Sequence, residues 1–275
     1  MSTKTADLSV PAAVRNNNPG ASAERLKREK LRSHIVEGER TLIVYLPPAY
    51  EQEHDARYPV LYLQDGQNLF DGNTSYVPGM TWHVAETADV LIESQQIEPL
   101  IIVGIYHAAE QRINEYTPVR DRKRGGGGAQ RYARMLMEEI KTFIDAEYRT
   151  LRDPAHTGVG GSSLGGLVSL FLGMWHPEIF GKVAAMSPSV WWKDRWVLRF
   201  VQSVSPKPRL KIWLDIGTSE GEAAVSDVKS LSTLLQEKGW EQGNDLHFYL
   251  AEGAAHTEAA WAERVGPMLK FLFPI

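Results

Sequence analysis

The amino-acid sequence predicts an α/β fold with a mainly parallel central sheet and helices on both of its faces. Apolar runs alternate with stretches of helical periodicity from about residue 60 to the end, and this order is typical of parallel strands joined by crossover helices. Residues 100–106 are apolar throughout instead of at every second position, which indicates a strand covered on both faces.

The individual elements follow from runs of β-branched and aromatic residues and from helical spacing. Residues 1–22 have no apolar period and are predicted to form a flexible tail, and residues 23–275 are expected to form one domain. Strands are predicted at residues 42–46, 60–63, 100–106, 156–160, 182–186, 210–216 and 246–250. Helices are predicted at residues 130–148, 164–176, 223–238 and 257–272.

One low-complexity stretch interrupts this alternation. Residues 125–128 are four consecutive glycines that follow a cluster of basic residues. Such a stretch is most simply a flexible, solvated loop. The alternative is a mobile flap over a pocket.

Length and composition limit the classes of protein to consider. The chain has 275 residues, of which 43% are hydrophobic and 23% charged, as in average globular proteins. A net charge of −4 offers no basic surface to nucleic acid or to an anionic membrane. The chain has no cysteine, which excludes disulfides, thiolate metal sites and a cysteine nucleophile.

A G-x-S-x-G motif at residues 161–165 centres on Ser163. It lies where a predicted strand meets a predicted helix, which is the setting of a nucleophile elbow in the α/β-hydrolase fold. The glycine spacing disfavours a dinucleotide site, and the lack of a lysine after Gly165 disfavours a P-loop. The motif therefore predicts that Ser163 is a nucleophile.

A serine nucleophile needs a histidine base, and in α/β-hydrolases the chain order is serine, acid, histidine. Three histidines follow Ser163. His176 comes too early to leave room for the acid, and His247 lies within a predicted strand. His256 lies in a loop of small residues between the last strand and the last helix, so we predict that it is the base.

The acid is expected just past the carboxyl end of the strand at residues 210–216. Glu220 lies in that position, in a glycine-rich loop. Asp215 lies inside the apolar strand and would point into a packed layer, whereas Asp227 lies farther on, in the next predicted helix. We predict Glu220 as the acid, and Asp227 is the alternative.

The tetrahedral oxyanion requires two backbone N–H donors. The first is expected from Leu164, directly after the nucleophile. The second is expected from the loop after the strand at residues 60–63, where Gly66 lets the chain turn sharply. We predict that the N–H of Gln67 is this donor.

Taken together, these segments resemble the putative-esterase (esterase D-like) family of α/β-hydrolases, and most closely its enterochelin-esterase-like bacterial branch. The likeness covers roughly residues 35–275 and rests on residues 44–48, 65–70, 115–118, 161–166, 187–189, 191–192, 217–221 and 255–258 with Trp261. The family includes siderophore esterases, S-formylglutathione hydrolases, feruloyl and acetyl-xylan esterases, and mycolyltransferases. The resemblance implies that Ser163, Glu220 and His256 form the triad.

Substrate contacts are expected at the same edge of the sheet. Trp191 and Trp192 would face opposite ways in an extended segment, so one of them should line the site. The further candidates are Asn68, His107 and Arg112, followed by Tyr76 and Trp82. His107 departs from the small amide-bearing residue expected at its position and could equally be a surface histidine, and Arg112 could simply pair with Glu115.

The sequence thus predicts a serine carboxylic ester hydrolase that uses no metal or cofactor and acts on a small-molecule ester. Siderophore lactones, acylated sugars and simple esters remain open as substrates. The alternatives are an acyltransferase with the same triad and a non-catalytic binding protein. A cytoplasmic location is expected because the N-terminus lacks an apolar signal segment, and a homo-oligomer is left open.

Overall fold

The computed structural model describes residues 23–275, so the predicted tail at residues 1–22 lies outside the described residues. Its strands are Leu26–Arg32 (β1), Glu39–Tyr45 (β2), Val60–Gln64 (β3), Ile101–Ile105 (β4), Thr157–Ser162 (β5), Lys182–Met186 (β6), Lys211–Gly217 (β7) and Leu246–Ala251 (β8). They form one sheet in the order β1-β2-β4-β3-β5-β6-β7-β8. The first two pairings, β1 with β2 and β2 with β4, are antiparallel and the others are parallel, which confirms the predicted sheet.

In the described residues, helices lie between successive strands from β3 onward, and the last helix follows β8. They are Val84–Glu93 (α1), Arg112–Tyr116 (α2), residues 129–147 (α3), Leu164–Trp175 (α4), Trp192–Ser203 (α5), Glu222–Glu237 (α6) and Glu258–Leu272 (α7). Helix α3 consists of Ala129–Arg134, the π-helical segment Met135–Lys141, and Thr142–Glu147. None of the helices in the described part of the chain combines the length and apolarity needed to cross a bilayer.

Helices cover both faces of the sheet, as the apolar strands predict. Along β3, Val60 and Tyr62 pack into one buried cluster with side chains of α3 and α4. The alternate residues Leu61 and Leu63 pack into a second cluster with side chains of α1 and α7. Because successive side chains of a strand point to opposite faces, β3 lies between two apolar layers.

The sequence did not predict β1, α1, α2 and α5. β1 reads LKREKLR, and among residues 23–275 its neighbour in the sheet is β2 alone. An edge strand that faces solvent tolerates such charges, so apolarity could not indicate it. In α5, Lys193 to Arg195 have positive φ angles, and the first turn is therefore not a regular helix.

Candidate active site

Ser163 occupies the turn between β5 and α4. Its φ of 57° and ψ of −121° lie in a region that side-chain-bearing residues rarely adopt, as at a nucleophile elbow. A Cβ atom at Gly161 would lie 2.9 Å from the Cβ atom of Gln64, so this position needs glycine. α4 begins at Leu164, and Ser163 therefore lies at the positive end of the helix dipole.

Glu220 follows β7 in the turn that leads to α6. Its side chain is only 2% exposed. One carboxylate oxygen, Oε1, accepts hydrogen bonds from Ser187 Oγ (2.6 Å) and from the backbone N–H of Gly217 (2.9 Å). Burial by itself would raise the pKa of Glu220, but the hydrogen bonds from His256, Ser187 and Gly217 outweigh it and hold the pKa below its ordinary value.

His256 lies in the loop between β8 and α7. Its Nδ1 is 2.6 Å from Glu220 Oε2, and its ring meets that of Trp261 edge to face at 4.8 Å. The loop is joined to the turn that carries Glu220, because Ser219 N–H donates to Ala254 O and Gly253 N–H donates to Thr218 Oγ1. The predicted base and acid are therefore brought together.

A turn after β6, Ser187-Pro188-Ser189, links the nucleophile to this pair. Ser189 Oγ is 3.3 Å from Ser163 Oγ, and the N–H of Ser189 donates to Ser163 O at 3.0 Å. At the other end of the turn, Ser187 Oγ donates to Glu220 Oε1. Three consecutive residues thus connect Ser163 to the hydrogen-bonded pair of Glu220 and His256.

The two predicted oxyanion donors lie at the starts of helical turns. Leu164 is the first residue of α4, and Gln67 lies in the short 3-10 turn Gly66–Asn68. Backbone N–H groups at such starts have no partner inside the helix. The sharp turn comes from Asp65, with a φ of 56°, and not from Gly66. Gly66 is needed for another reason: its Cβ atom would lie 2.4 Å from the carbonyl carbon of Gly104.

Arg112 holds this loop and does not pair with Glu115. Its Nε and Nη2 donate to the two oxygens of Asp65 at 2.7 and 2.8 Å. Glu115 instead pairs with the buried Arg40. The sequence alternative of an Arg112–Glu115 pair is therefore wrong, and the Arg112 guanidinium is largely occupied by the residue that turns the chain toward Gln67.

Asn68 and Trp82 are tied to a buried carboxylate in α7. Asn68 Nδ2 donates to Glu258 Oε1 at 3.2 Å, and Trp82 Nε1 donates to Glu258 Oε2. The amide oxygen of Asn68, Oδ1, accepts a hydrogen bond from the backbone N–H of Tyr76 at 2.9 Å. Burial raises the pKa of Glu258, although the hydrogen bond from Trp82 opposes this. These side chains thus anchor loops around the site.

The two tryptophans face different surroundings. Trp191 is 46% exposed, whereas Trp192 is 2% exposed and donates from Nε1 to Val119 O at 2.9 Å. Arg124 lies over the Trp191 ring, with its guanidinium carbon 5.3 Å from the centroid. Trp191 is two residues along the chain from Ser189, whose Oγ is 3.3 Å from Ser163 Oγ.

Within the four glycines at residues 125–128, Gly126 packs against Trp192. A Cβ atom at Gly126, which has a φ of 86°, would lie 2.2 Å from Thr117 Oγ1 and 2.9 Å from the Trp192 ring. Gly125 also pairs with Asp121 as an isolated β-bridge. The prediction of a loop surrounded by solvent is therefore wrong for Gly126.

His107 follows β4 and is half-buried. Within residues 23–275, its Nδ1 is buried without a hydrogen-bond partner. Burial lowers its pKa, although the nearby Asp65 carboxylate opposes this. The ring is therefore favoured in its neutral form, with one nitrogen unsatisfied.

Three residues that contact the triad were not predicted from the sequence to belong to the site. Ser187 and Ser189 belong to a segment that carried the family resemblance, but nothing local indicated their partners. Arg264, which donates from Nη1 to Ser187 Oγ and to Asp215 Oδ1, reads in the sequence as one more charge on a helix.

Comparison with known proteins identifies relatives over most of the chain. A family model described as "Putative esterase" matches residues 33–272. The chain is 27% identical over 249 residues to the uncharacterized protein YbbA of Bacillus subtilis (strain 168), covering 86% of this chain and 93% of that protein. It is 28% identical over 176 residues to the ferri-bacillibactin esterase BesA of the same organism, covering 58% of this chain and 57% of that protein.

Solved structures show the same fold. The crystal structure of BES protein from Bacillus cereus has a TM-score of 0.74 and 24% sequence identity, and the match covers 91% of this chain and 95% of that one. The family match extends from β2 to the end of α7 and includes Ser163, Glu220 and His256. The chain therefore belongs to the putative esterase family, a family of carboxylic ester hydrolases with the α/β-hydrolase fold.

Proposed function

We propose that this chain is a single-domain serine ester hydrolase that works through a Ser163–His256–Glu220 triad and an acyl-enzyme intermediate. The observation that carries the proposal is the connection between the three residues. Ser163 occupies a strained strand-to-helix turn, its hydroxyl contacts the turn at residues 187–189, and that turn donates to the carboxylate bonded to His256.

In the acylation half-reaction, Ser163 Oγ attacks the ester carbonyl carbon while His256 removes the hydroxyl proton. Nδ1 of His256 faces Glu220, which leaves Nε2 to accept this proton. The imidazolium then protonates the leaving alkoxide, and the alcohol departs. Because its hydrogen bonds hold the Glu220 pKa low, the carboxylate stays ionised and stabilises the imidazolium.

The developing oxyanion is stabilised by the N–H groups of Leu164 and Gln67 in this proposal. The Arg112–Asp65 pair supports the assignment of Gln67, because it fixes the left-handed residue from which the 3-10 turn starts. In this proposal the loops around the site are held in place by Arg112, Asn68 and Trp192, and these side chains do not contact substrate. Trp191 and His107 are left as the proposed substrate contacts.

Deacylation requires water to approach the acyl-enzyme, with His256 as the base. The side chain of His256 is 45% exposed, which supports access of water and therefore hydrolysis. Acyl transfer would follow the same steps with an alcohol in place of water.

The proposed reaction is tested with a fluorophosphonate probe and by product analysis. We expect one probe per chain, attached to Ser163 as located by peptide mass spectrometry, because only an activated serine reacts at neutral pH. With a p-nitrophenyl ester, free acid should be released even when glycerol or a sugar is added as acceptor. Absence of labelling would favour a non-catalytic protein, and an acylated acceptor as the main product would favour a transferase.

Trp191 is partly exposed and has the Arg124 guanidinium over its ring, which supports an ester with an aromatic and negatively charged acyl part. BesA, whose name describes a ferri-bacillibactin esterase, is a relative with a siderophore substrate, so a siderophore lactone is a proposed substrate class here. Arg122, Lys123 and Arg124 are all exposed in the turn beside Trp191 and would attract such an anion.

Replacing Trp191 by alanine is expected to raise KM for an aryl ester such as p-nitrophenyl benzoate by about fivefold, because stacking contributes about 1 kcal/mol. KM for p-nitrophenyl acetate should change by less than about twofold, since a methyl group offers no ring to stack. The comparison is made by initial rates on both esters. Equal changes in KM for the two esters would contradict the proposed role of Trp191.

A further inference from the structure

Next to Glu220 lies a buried ion pair, Arg264 with Asp215, that the triad mechanism does not use. Arg264 of α7 and Asp215 of β7 are 2% and 0% exposed, with Nη1 and Oδ1 2.6 Å apart. Asp215 Oδ2 accepts from Trp213 Nε1 at 2.6 Å. Burying a charged pair is costly unless its hydrogen bonds are satisfied, so the position of this pair suggests a role beyond packing.

Ser187 connects the pair to the proposed acid. Its Oγ accepts hydrogen bonds from Trp261 Nε1 at 3.1 Å and from Arg264 Nη1 at 3.2 Å. A hydroxyl has two acceptor positions and one proton. Because both acceptor positions are taken, the proton is directed to the remaining neighbour, Glu220 Oε1, at 2.6 Å.

The guanidinium also acts on Glu220 directly. Arg264 Nη2 is 3.7 Å from Glu220 Oε1 and, among the described residues, has no hydrogen-bond partner. Its positive charge therefore favours the ionised form of a carboxylate that is almost completely buried.

We propose that Arg264 and Ser187 are positioning residues for the triad: they keep Glu220 ionised and turn its Oε1 inward, so that Oε2 faces His256. This inference rests on the proposed triad. Asp215, Glu220 and Arg264 together carry one negative charge when His256 is neutral. The cluster becomes neutral when His256 gains the proton of Ser163, which favours the charge distribution of the transition state.

Other charged groups face the same region. Burial raises the pKa of Asp215, and Arg264 opposes this. On the other side of His256 lies the buried Glu258, which is held by Trp82 and Asn68. Glu252, directly after β8, accepts a hydrogen bond from Thr218 Oγ1, and Asp65 pairs with Arg112.

The proposal is tested with Arg264→Met, Arg264→Lys and Ser187→Ala, using the pH dependence of kcat and kcat/KM on a p-nitrophenyl ester. Rates are normalised to the fraction of sites that react with fluorophosphonate, so that misfolded protein does not count. We expect Arg264→Met and Ser187→Ala to lower kcat by about 10- to 100-fold, with KM changed by less than about twofold.

The pH profile separates positioning from a structural role. Loss of the guanidinium or of the Ser187 hydroxyl makes it easier for the Glu220–His256 pair to take up a proton. The acid limb of kcat/KM should therefore move to higher pH by about half a unit. Arg264→Lys retains the charge, so its acid limb should stay within about 0.2 unit of the wild-type position and its kcat should partly recover.

Arg195→Met is the matched control, because it breaks an arginine–aspartate pair of the same length, 2.6 Å to Asp227, in which the arginine is exposed. It should leave kcat and the acid limb unchanged. Ser187→Ala retains the buried ion pair and keeps the test valid if Arg264→Met does not fold. The inference is overturned if folded Arg264→Met or Ser187→Ala keeps the wild-type kcat and acid limb while Glu220→Gln loses activity. If Glu220→Gln is also active, the triad itself is wrong.

Discussion

Replacing Ser163 by alanine is expected to lower kcat for a short p-nitrophenyl ester by about 10⁵- to 10⁶-fold. The substitution removes the atom that forms the acyl-enzyme but leaves the elbow, the oxyanion donors and the Glu220–His256 pair unchanged. Only the background rate supported by binding and by the oxyanion hole should remain. Initial rates over a range of enzyme concentrations measure the change.

Ser162→Ala is the matched control for this variant. Ser162 is the last residue of β5 and is buried directly beside the nucleophile, so it reports what loss of a hydroxyl at the elbow does to folding alone. We expect its kcat to stay within about threefold of the wild-type value. A Ser163→Ala enzyme that keeps more than about 1% of activity would show that another group performs the attack.

The parts of the site that could be predicted from the sequence are those with local signals. The elbow requires small residues within a few positions of Ser163, and Gly161 meets that requirement. The positions of Glu220 and His256 follow from the ends of parallel strands, whose carboxyl ends meet at one edge of the sheet. Their places after predicted strands, together with the chain order of α/β-hydrolases, made them the candidates before any distance was known.

The supporting contacts could not be predicted because their partners are far apart in the sequence. Arg112 and Glu115 are three residues apart, a spacing that favours pairing on a helix. Each instead pairs across the fold, Arg112 with Asp65, 47 positions away, and Glu115 with Arg40, 75 positions away. Buried carboxylates bind the nearest available cation in space, and helical spacing does not reveal which one this is.

The same limit applies to Arg264 and to the edge strand. Arg264 lies on the last helix and meets Ser187, 77 positions earlier, so no pattern within α7 distinguishes it from a solvent-exposed arginine. In β1, polar residues make a strand because the hydrogen bonds to β2 supply its stability, and apolar periodicity cannot detect that contribution.

The second large effect is expected from Glu220→Gln, which should lower kcat by about 10⁴-fold. Asp227→Asn is its matched control. Asp227 lies in α6, is buried, and pairs with the exposed Arg195. Because Nδ1 of His256 contacts Glu220 and not Asp227, loss of the Asp227 carboxylate should change kcat by less than about threefold. Measuring both variants with the same p-nitrophenyl ester decides between the two acids that the sequence left open. A large loss in Asp227→Asn, with activity retained in Glu220→Gln, would reverse the assignment.

The size of the expected loss follows from the donors around Glu220. Its Oε1 position faces the Ser187 hydroxyl, the Gly217 N–H and the Arg264 guanidinium, and all three require an acceptor there. The single oxygen of a glutamine amide would therefore take that position and leave its NH₂ group toward Nδ1 of His256. An NH₂ group requires Nδ1 to act as the acceptor, which places the ring proton on Nε2. A histidine in that tautomer cannot accept the proton of Ser163, so a nearly isosteric change should stop acylation by fixing the base in the wrong form.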